Sequence, residues 1–198
     1  MRNKWLAASV LLASATAVQA QQPALMPADA QIASAVMPLP VEFREGATVL
    51  GYATGKTGLI SLRAGKGAFI CLADDPKDER FHVACYHNSL EPFMARGRAL
   101  RAQGVKGAGV DSVRFAEINS GKLAMPKHPA ALYSLTLKLD EVNAQTGAIS
   151  SETKPLYVVY ISNETAESTG LPRTPVPGMP WIMFPGTPKA HIMFVPAM

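Results

Sequence analysis

Both cysteines and two of the four histidines of this 198-residue chain lie in one stretch, FICLADDPKDERFHVACYH, residues 69–87. Thiols and imidazoles this close together are the side chains of zinc sites, redox pairs and catalytic clusters. Zinc needs four ligands, usually drawn from close pairs, but the two cysteines follow a C-x13-C spacing with no C-x2-C partner. A C-x-x-C redox motif is also absent. The pattern therefore favours a disulfide between Cys71 and Cys85.

The amino-terminal residues predict the compartment in which such a disulfide forms. Arg2 and Lys4 precede a short apolar run, and Val18 and Ala20 lie three positions and one position before a cleavage site. We expect a secretory signal peptide over residues 1–20, cleaved after Ala20, and hence a periplasmic or extracellular protein. In an oxidising compartment, two cysteines of one small domain most often pair.

A hairpin closed by this disulfide also sets which residues face one another. With Cys71 opposite Cys85, the antiparallel register places Asp74 opposite His82. A carboxylate beside an imidazolium raises the pKa of the histidine. In a cleft, His82 would then be a candidate general base, with Asp74 orienting its imidazole.

A second group of polar side chains lies where the predicted hairpin ends and a helix begins. It comprises Tyr86, His87, Glu91 and Arg96. Unpaired N–H groups at a helix N-terminus attract anions, so these residues could line a ligand pocket, with His87 and Glu91 as further catalytic candidates. The structural alternative is that Glu91 only interacts with the helix dipole and that His87 is a satisfied edge histidine.

Metal binding is a weaker possibility. His191 and Met193 share one face of a short apolar run and could join another histidine in a copper site. The alternative is that the methionines fill gaps in the core. We expect neither a metal nor another cofactor.

The composition and the absence of common motifs argue against several classes of function. The chain contains no G-x-S-x-G, H-E-x-x-H or S-x-x-K motif of a hydrolase. Its formal net charge is +4, of which Arg2 and Lys4 in the predicted signal peptide supply two. No block of basic residues stands out, so we expect no nucleic-acid partner.

The elements that position these residues follow from the period of the apolar side chains. Short apolar runs separated by GKTG and GKG predict an antiparallel meander of four strands over residues 48–87. The next segment, residues 88–104, predicts a helix whose apolar face includes Phe93, Met94 and Leu100. A second, shorter helix is predicted within residues 110–121, with Val110, Val113 and Ile118 on its buried side.

The carboxyl-terminal half predicts further strands. Alternation in LYSLTLKLD and the apolar run LYVVYIS indicate two strands, and AHIMFVP could supply a third. The intervening LPRTPVPGMPWIMFPGTP is rich in proline but carries Trp181, so we expect an extended segment packed on the domain.

The predicted fold class is therefore α+β. We expect an antiparallel sheet, a four-strand meander plus two to three carboxyl-terminal strands, packed by one or two helices. Residues 21–40 form an amino-terminal segment with a short helix, and residues 41–198 form a single domain with a Pro/Met-rich carboxyl-terminal segment. No transmembrane segment is expected after residue 20.

The sequence favours a non-catalytic module that binds a small ligand or a protein partner. This expectation rests on the predicted signal peptide, the single disulfide and the missing catalytic motifs. One alternative is a small hydrolase or isomerase that uses a His–carboxylate pair. Another is a carrier of copper or another metal.

Overall fold

The computed structural model describes residues 25–176 and 178–195. The predicted signal peptide, residues 1–20, lies outside the described residues. The strands are β1 (Thr48–Gly51), β2 (Ile60–Arg63), β3 (Phe69–Leu72), β4 (Phe81–His87), β5 (Ala130–Leu137), β6 (Leu156–Tyr160), β7 (Trp181–Met183) and β8 (His191–Phe194). The helices are α1 (Ala28–Ala35), α2 (Val41–Arg44), α3 (Glu91–Ala102), α4 (Ala108–Asn119) and α5 (Ala166–Thr169).

These strands form one sheet in the order β2-β1-β3-β4-β5-β6-β8-β7. Neighbouring strands are antiparallel except β1 and β3, which run parallel with Thr48 opposite Ile70. The α+β class fits this architecture, but the predicted four-strand antiparallel meander is wrong. The strand count also exceeds the prediction, because Trp181–Met183 of the proline-rich segment pairs with β8 as an edge strand.

The GKG segment between β2 and β3 explains the error in topology. Instead of turning back as a hairpin, it crosses the start of β1. The N–H of Gly67 donates to the carbonyl of Gly46 at 2.7 Å. A Cβ at Gly65 would lie 2.2 Å from that carbonyl oxygen. Only a residue without a side chain permits this approach. Gly65 is therefore needed where the two backbone segments cross, not for a tight turn.

The register of the β3–β4 hairpin is confirmed. Cys71 lies opposite Cys85, Ile70 opposite Tyr86, and Phe69 opposite His87. The two cysteines form a disulfide, and both are fully buried.

Helices cover both faces of the sheet. On one face, here called the α1 face, α1 and the segment after it pack over Phe69, Cys71 and Cys85. On the other, the α3–α4 face, both helices pack over side chains that include Tyr86 and Tyr160. Because side chains alternate along a strand, adjacent residues of β4 belong to different cores.

The two predicted helices are present as α3 and α4. Phe93 and Leu100 are buried, and Met94 packs against the α3–α4 core, so the predicted apolar face meets the sheet. Pro92 falls in the first turn of α3, where its missing N–H has no intrahelical partner to lose. Among the described residues, no helix combines the length and the apolar character needed to span a bilayer.

Candidate functional site

The α1 face is only partly covered, because α1 is short. Its eight residues span about 12 Å, whereas adjacent strands are spaced by about 4.8 Å. The helix contacts β1, β2 and β4 at one end of the sheet. In the described part of the chain, the same face of β5, β6 and β8 forms the floor of a groove.

This groove has a volume of about 790 Å³. Its floor is formed by Ala131, Tyr133 and Leu135 of β5, Tyr157 and Val159 of β6, and Phe194 of β8. One wall is the segment from Met37 to Arg44, and the other contains Ile149, Ser151, Thr153, Lys154 and Pro155. Most of this lining is apolar, and the two walls come from segments more than 100 residues apart in sequence.

Arg44 holds the first wall in place. Its Nε donates to the carbonyl of Leu39 at 2.8 Å, and its Nη2 donates to the carbonyl of Met37 at 2.9 Å. Arg63 of β2 donates in turn to the carbonyl of Arg44 at 2.5 Å. Pro38 and Pro40 cannot donate backbone hydrogen bonds, so the Arg44 guanidinium supplies donors within this segment, and the Arg63 guanidinium joins the segment to the sheet.

A row of aromatic rings runs from the wall across the floor. The ring centroids of Phe43 and Phe69 are 5.1 Å apart, those of Phe69 and Tyr133 are 5.8 Å apart, and those of Tyr133 and Tyr157 are 5.7 Å apart. These are the separations at which aromatic pairs attract one another. Tyr157 nevertheless remains 39% exposed, as expected for a ring that faces an open groove.

The phenol hydroxyls of Tyr133 and Tyr157 are the polar groups of the floor. Neither has a hydrogen-bond partner in the described part of the chain. Burial raises the pKa of Tyr133, so its hydroxyl stays protonated at neutral pH and can donate or accept a bond. The groove therefore offers apolar contact together with two phenol hydroxyl groups that can form hydrogen bonds.

A smaller cavity of about 110 Å³ lies on the same face, lined by Asp74, Phe81 and Leu139 among others. Burial raises the pKa of Asp74 to about 6. Its carboxylate accepts a hydrogen bond from the backbone N–H of His82 at 2.7 Å, whereas the imidazole Nδ1 of His82 bonds the hydroxyl of Thr136 at 2.8 Å. The expected contact between carboxylate and imidazole is not formed. Burial lowers the pKa of His82, opposite to the predicted direction.

The strand-to-helix junction brings together part of the predicted group. Tyr86 donates its hydroxyl to Glu91 at 2.5 Å, and Arg98 donates to both Tyr86 and Glu91, at 2.8 and 2.7 Å. Arg96 instead pairs with Glu117 of α4 at 2.6 Å. The arginine beside Glu91 is therefore Arg98. Helix geometry explains this, because seven residues make about two turns and return to the same face, whereas five do not.

His87 lies apart from this group. Its side chain leaves the sheet on the α1 face, with its ring 5.9 Å from that of Phe69, while Tyr86 leaves on the other. Its Nδ1 bonds the hydroxyl of Ser89 at 2.8 Å and accepts from the N–H of Ser89 at the start of the next turn. This is the arrangement of a satisfied capping histidine.

His191 and Met193 lie on β8 under α3 and α4. His191 bonds the carbonyl of Lys189 at 2.7 Å, and the centroid of its ring lies 5.0 Å from that of Tyr160 and 5.7 Å from that of Phe184. Met193 packs into the core of the same face. Across the described ranges, no group of three or more His, Cys, Asp or Glu side chains is placed to hold a metal ion.

Sequence reasoning missed the groove because its parts are dispersed. Tyr133 and Tyr157 each belong to a correctly predicted strand, and the loop between the two strands predicts that they pair as a hairpin, as they do. Nothing local indicates that α1 stops short of them. The alternation of side chains along a strand places Tyr133 on the same face as Leu135, and this pattern is the local evidence that Tyr133 belongs to the groove face. Comparisons with protein-family models, with curated proteins and with solved structures give no match.

Proposed function

We propose that this chain is a non-catalytic binding protein that holds an apolar or amphiphilic small molecule in the groove of the α1 face. The supporting observation is the 790 Å³ groove itself. Its volume lies within the roughly 300–1,000 Å³ typical of small-molecule pockets. Such pockets are also lined mainly by apolar and aromatic side chains with a few polar groups, which describes this floor.

The polar groups orient the ligand in this proposal. The hydroxyls of Tyr133 and Tyr157 lie on an apolar floor and bind a carbonyl, ether or hydroxyl group of the ligand. The apolar remainder packs against Leu135 and Val159. Binding then releases water from apolar surface, at about 25 cal/mol per Å² removed from water.

A neutral fluorescent probe tests this proposal. N-phenyl-1-naphthylamine brightens in apolar surroundings and carries no charge, so it reports on the groove without an electrostatic contribution. We expect saturable binding to the wild-type chain. Ala131→Phe places a ring in the open groove, and Ala99→Phe makes the same change on the exposed surface of α3.

The first variant should weaken probe binding by about tenfold or more, since crowding a packed site typically costs about 1–3 kcal/mol. The second should leave binding unchanged. Absence of saturable binding, or equal binding by the two variants, would overturn the proposal. Melting temperatures measured alongside confirm that both variants are folded.

The compartment is part of the same proposal. The disulfide supports export to the periplasm or the cell exterior, because such bonds persist in oxidising surroundings. Expression with residues 1–20 in place, followed by mass spectrometry of the exported protein, tests it. A chain that begins at Gln21 is expected, and a full-length chain retained in the cytosol contradicts it.

A further inference from the structure

A further cavity lies on the opposite face of the sheet, under α3 and α4, with a volume of about 180 Å³. Part of its lining is formed by Leu72, Phe93, Met94 and Tyr160. Its other lining residues are all basic: Arg98, Arg101, Arg114 and Lys189. Four basic side chains around so small a volume repel one another unless an anion joins them.

Two carboxylates neutralise part of this charge. Asp111 forms ion pairs with Arg114 and with Lys189, the latter at 2.8 Å, and Glu91 pairs with Arg98. Burial opposes ionisation of Asp111, but the hydrogen bonds from Lys189 and Arg114 outweigh it and lower its pKa. Both carboxylates are therefore already engaged. In the described part of the chain, Arg101 has no ion-pair partner.

Arg114 is the buried member of the group, with only 4% of its surface exposed. Its guanidinium carbon lies 3.7 Å above the ring centroid of Phe93, and its Nη1 donates to the carbonyl of Phe93 at 3.2 Å. Its buried Nε–H has no hydrogen-bond partner among the described residues. A buried donor without an acceptor is costly, so this N–H favours a ligand that can accept a hydrogen bond from it.

Gly97 of α3 shows that two of the guanidinium groups converge. A Cβ at this position would lie 2.8 Å from Nη1 of Arg114 and 3.3 Å from Nη1 of Arg101. Since both distances share one end point, the two nitrogens are at most about 6 Å apart, a range in which like charges interact strongly. Among residues 25–176 and 178–195, no carboxylate pairs with both arginines.

We propose that this cavity is a binding site for a small oxyanion. Guanidinium groups present paired N–H donors that match the oxygens of phosphate, sulfate or carboxylate. A cavity of about 150 Å³ accommodates a benzene ring, so the site also has room for a short apolar substituent against Leu72 and Met94. The proposal does not depend on the groove, which lies across the sheet.

Isothermal titration calorimetry with inorganic phosphate, sulfate and benzoate tests the proposal. We expect at least one of the three to bind in a saturable way, and increasing sodium chloride to weaken that binding. Tighter binding of phosphate or sulfate indicates a free inorganic ion as the natural ligand. Tighter binding of benzoate indicates the anionic end of an organic molecule. Failure of all three to bind overturns the proposal.

Two charge-matched variants locate the site. Arg101→Gln removes the exposed, unpaired guanidinium, and Lys106→Gln removes one positive charge from the connection after α3, outside the cavity. Arg101→Gln should weaken binding by about tenfold or more, because a charged hydrogen bond contributes about 1.5–3 kcal/mol. Equal affinities of the two variants would show a nonspecific charge effect and overturn the assignment. Arg101 is exposed, so folding is preserved.

Discussion

The two faces of the sheet differ in how far helices cover them and in the kind of space that is left. On the α3–α4 face, two twelve-residue helices cover the strands, and the space that remains is a small cationic cavity. On the α1 face, a single eight-residue helix leaves three strands open, and the remaining space is a large apolar groove. The difference shows that the length of the covering helices sets the size of the space that remains on each face, and that the side chains around it set its polarity.

The largest expected contrast is in stability. Phe93 on the α3–α4 face is 1% exposed, so Phe93→Ala should lower the free energy of unfolding by about 3–5 kcal/mol. Tyr157→Ala on the groove floor should cost less than about 1 kcal/mol, because the ring is already partly in water. Urea denaturation measures both. Equal losses would mean that the groove floor is covered in solution.

Removal of the disulfide should be the next largest effect, and it concerns the core of the α1 face. Replacing both Cys71 and Cys85 by Ala should lower the free energy of unfolding by about 3 kcal/mol, since the closed loop restricts the unfolded chain. Cys71→Ala alone should behave worse, because it leaves a free thiol that can form cross-linked dimers. Denaturation and a non-reducing gel measure the two effects. Alkylation of both cysteines in the native, non-reduced protein would contradict the pairing.

Gly97→Ala separates binding from stability on the α3–α4 face. Alanine gains about 1 kcal/mol of helix propensity, while its methyl group crowds Arg114 and Arg101. We expect a stability change within about 1 kcal/mol and a clear loss of oxyanion affinity. Gly109→Ala in α4 is the control, since its Cβ meets only Val105. Unchanged affinity in Gly97→Ala would place the anion elsewhere.

The smallest effect concerns Asp74, whose carboxyl is partly buried beside the α1 face. Its folded pKa of about 6 exceeds its usual value of 3.8, so the folded state binds the extra proton. The resulting stabilisation is present below about pH 3.8 and is lost as the pH rises through 6.

Asp74→Asn should therefore become more stable relative to the wild type as the pH rises from 4 to 7, by less than about 1 kcal/mol because solvent screens the group. Thermal melts of both proteins across that range measure the difference. A constant difference between the two proteins would exclude a raised pKa.

The elements that sequence reasoning located correctly are those with local causes. The β3–β4 register follows from two cysteines 14 positions apart and the polar loop between them. Helix α3 follows from a proline in its first turn, a period of 3.6 and Gly104 at its end. Local chemistry did not distinguish Arg98 from Arg96 as the partner of Glu91, although helix phase favours the residue two turns away.

The errors have non-local causes. The GKG segment predicts a hairpin turn. Glycine, however, permits close backbone contacts as well as tight turns, so the segment alone does not distinguish the two. Only the position of Gly46 shows that Gly65 makes a close backbone contact. The expected pairing of the Asp74 carboxylate with the His82 imidazole failed for a similar reason. The neighbouring strand β5 offers the hydroxyl of Thr136, and that strand is 54 residues away in sequence.

The disulfide, the hairpin register and the two helices that cover one face can be predicted from the sequence, because each depends on residues close together in the chain. The groove and the cationic cavity become apparent only in the folded structure. The groove exists because α1 ends before β5, and the cationic cavity exists because Arg101 of α3, Arg114 of α4 and Lys189 before β8 meet over one apolar floor. Cavities are the space between elements, and their shape depends on the packing of segments that are distant in sequence.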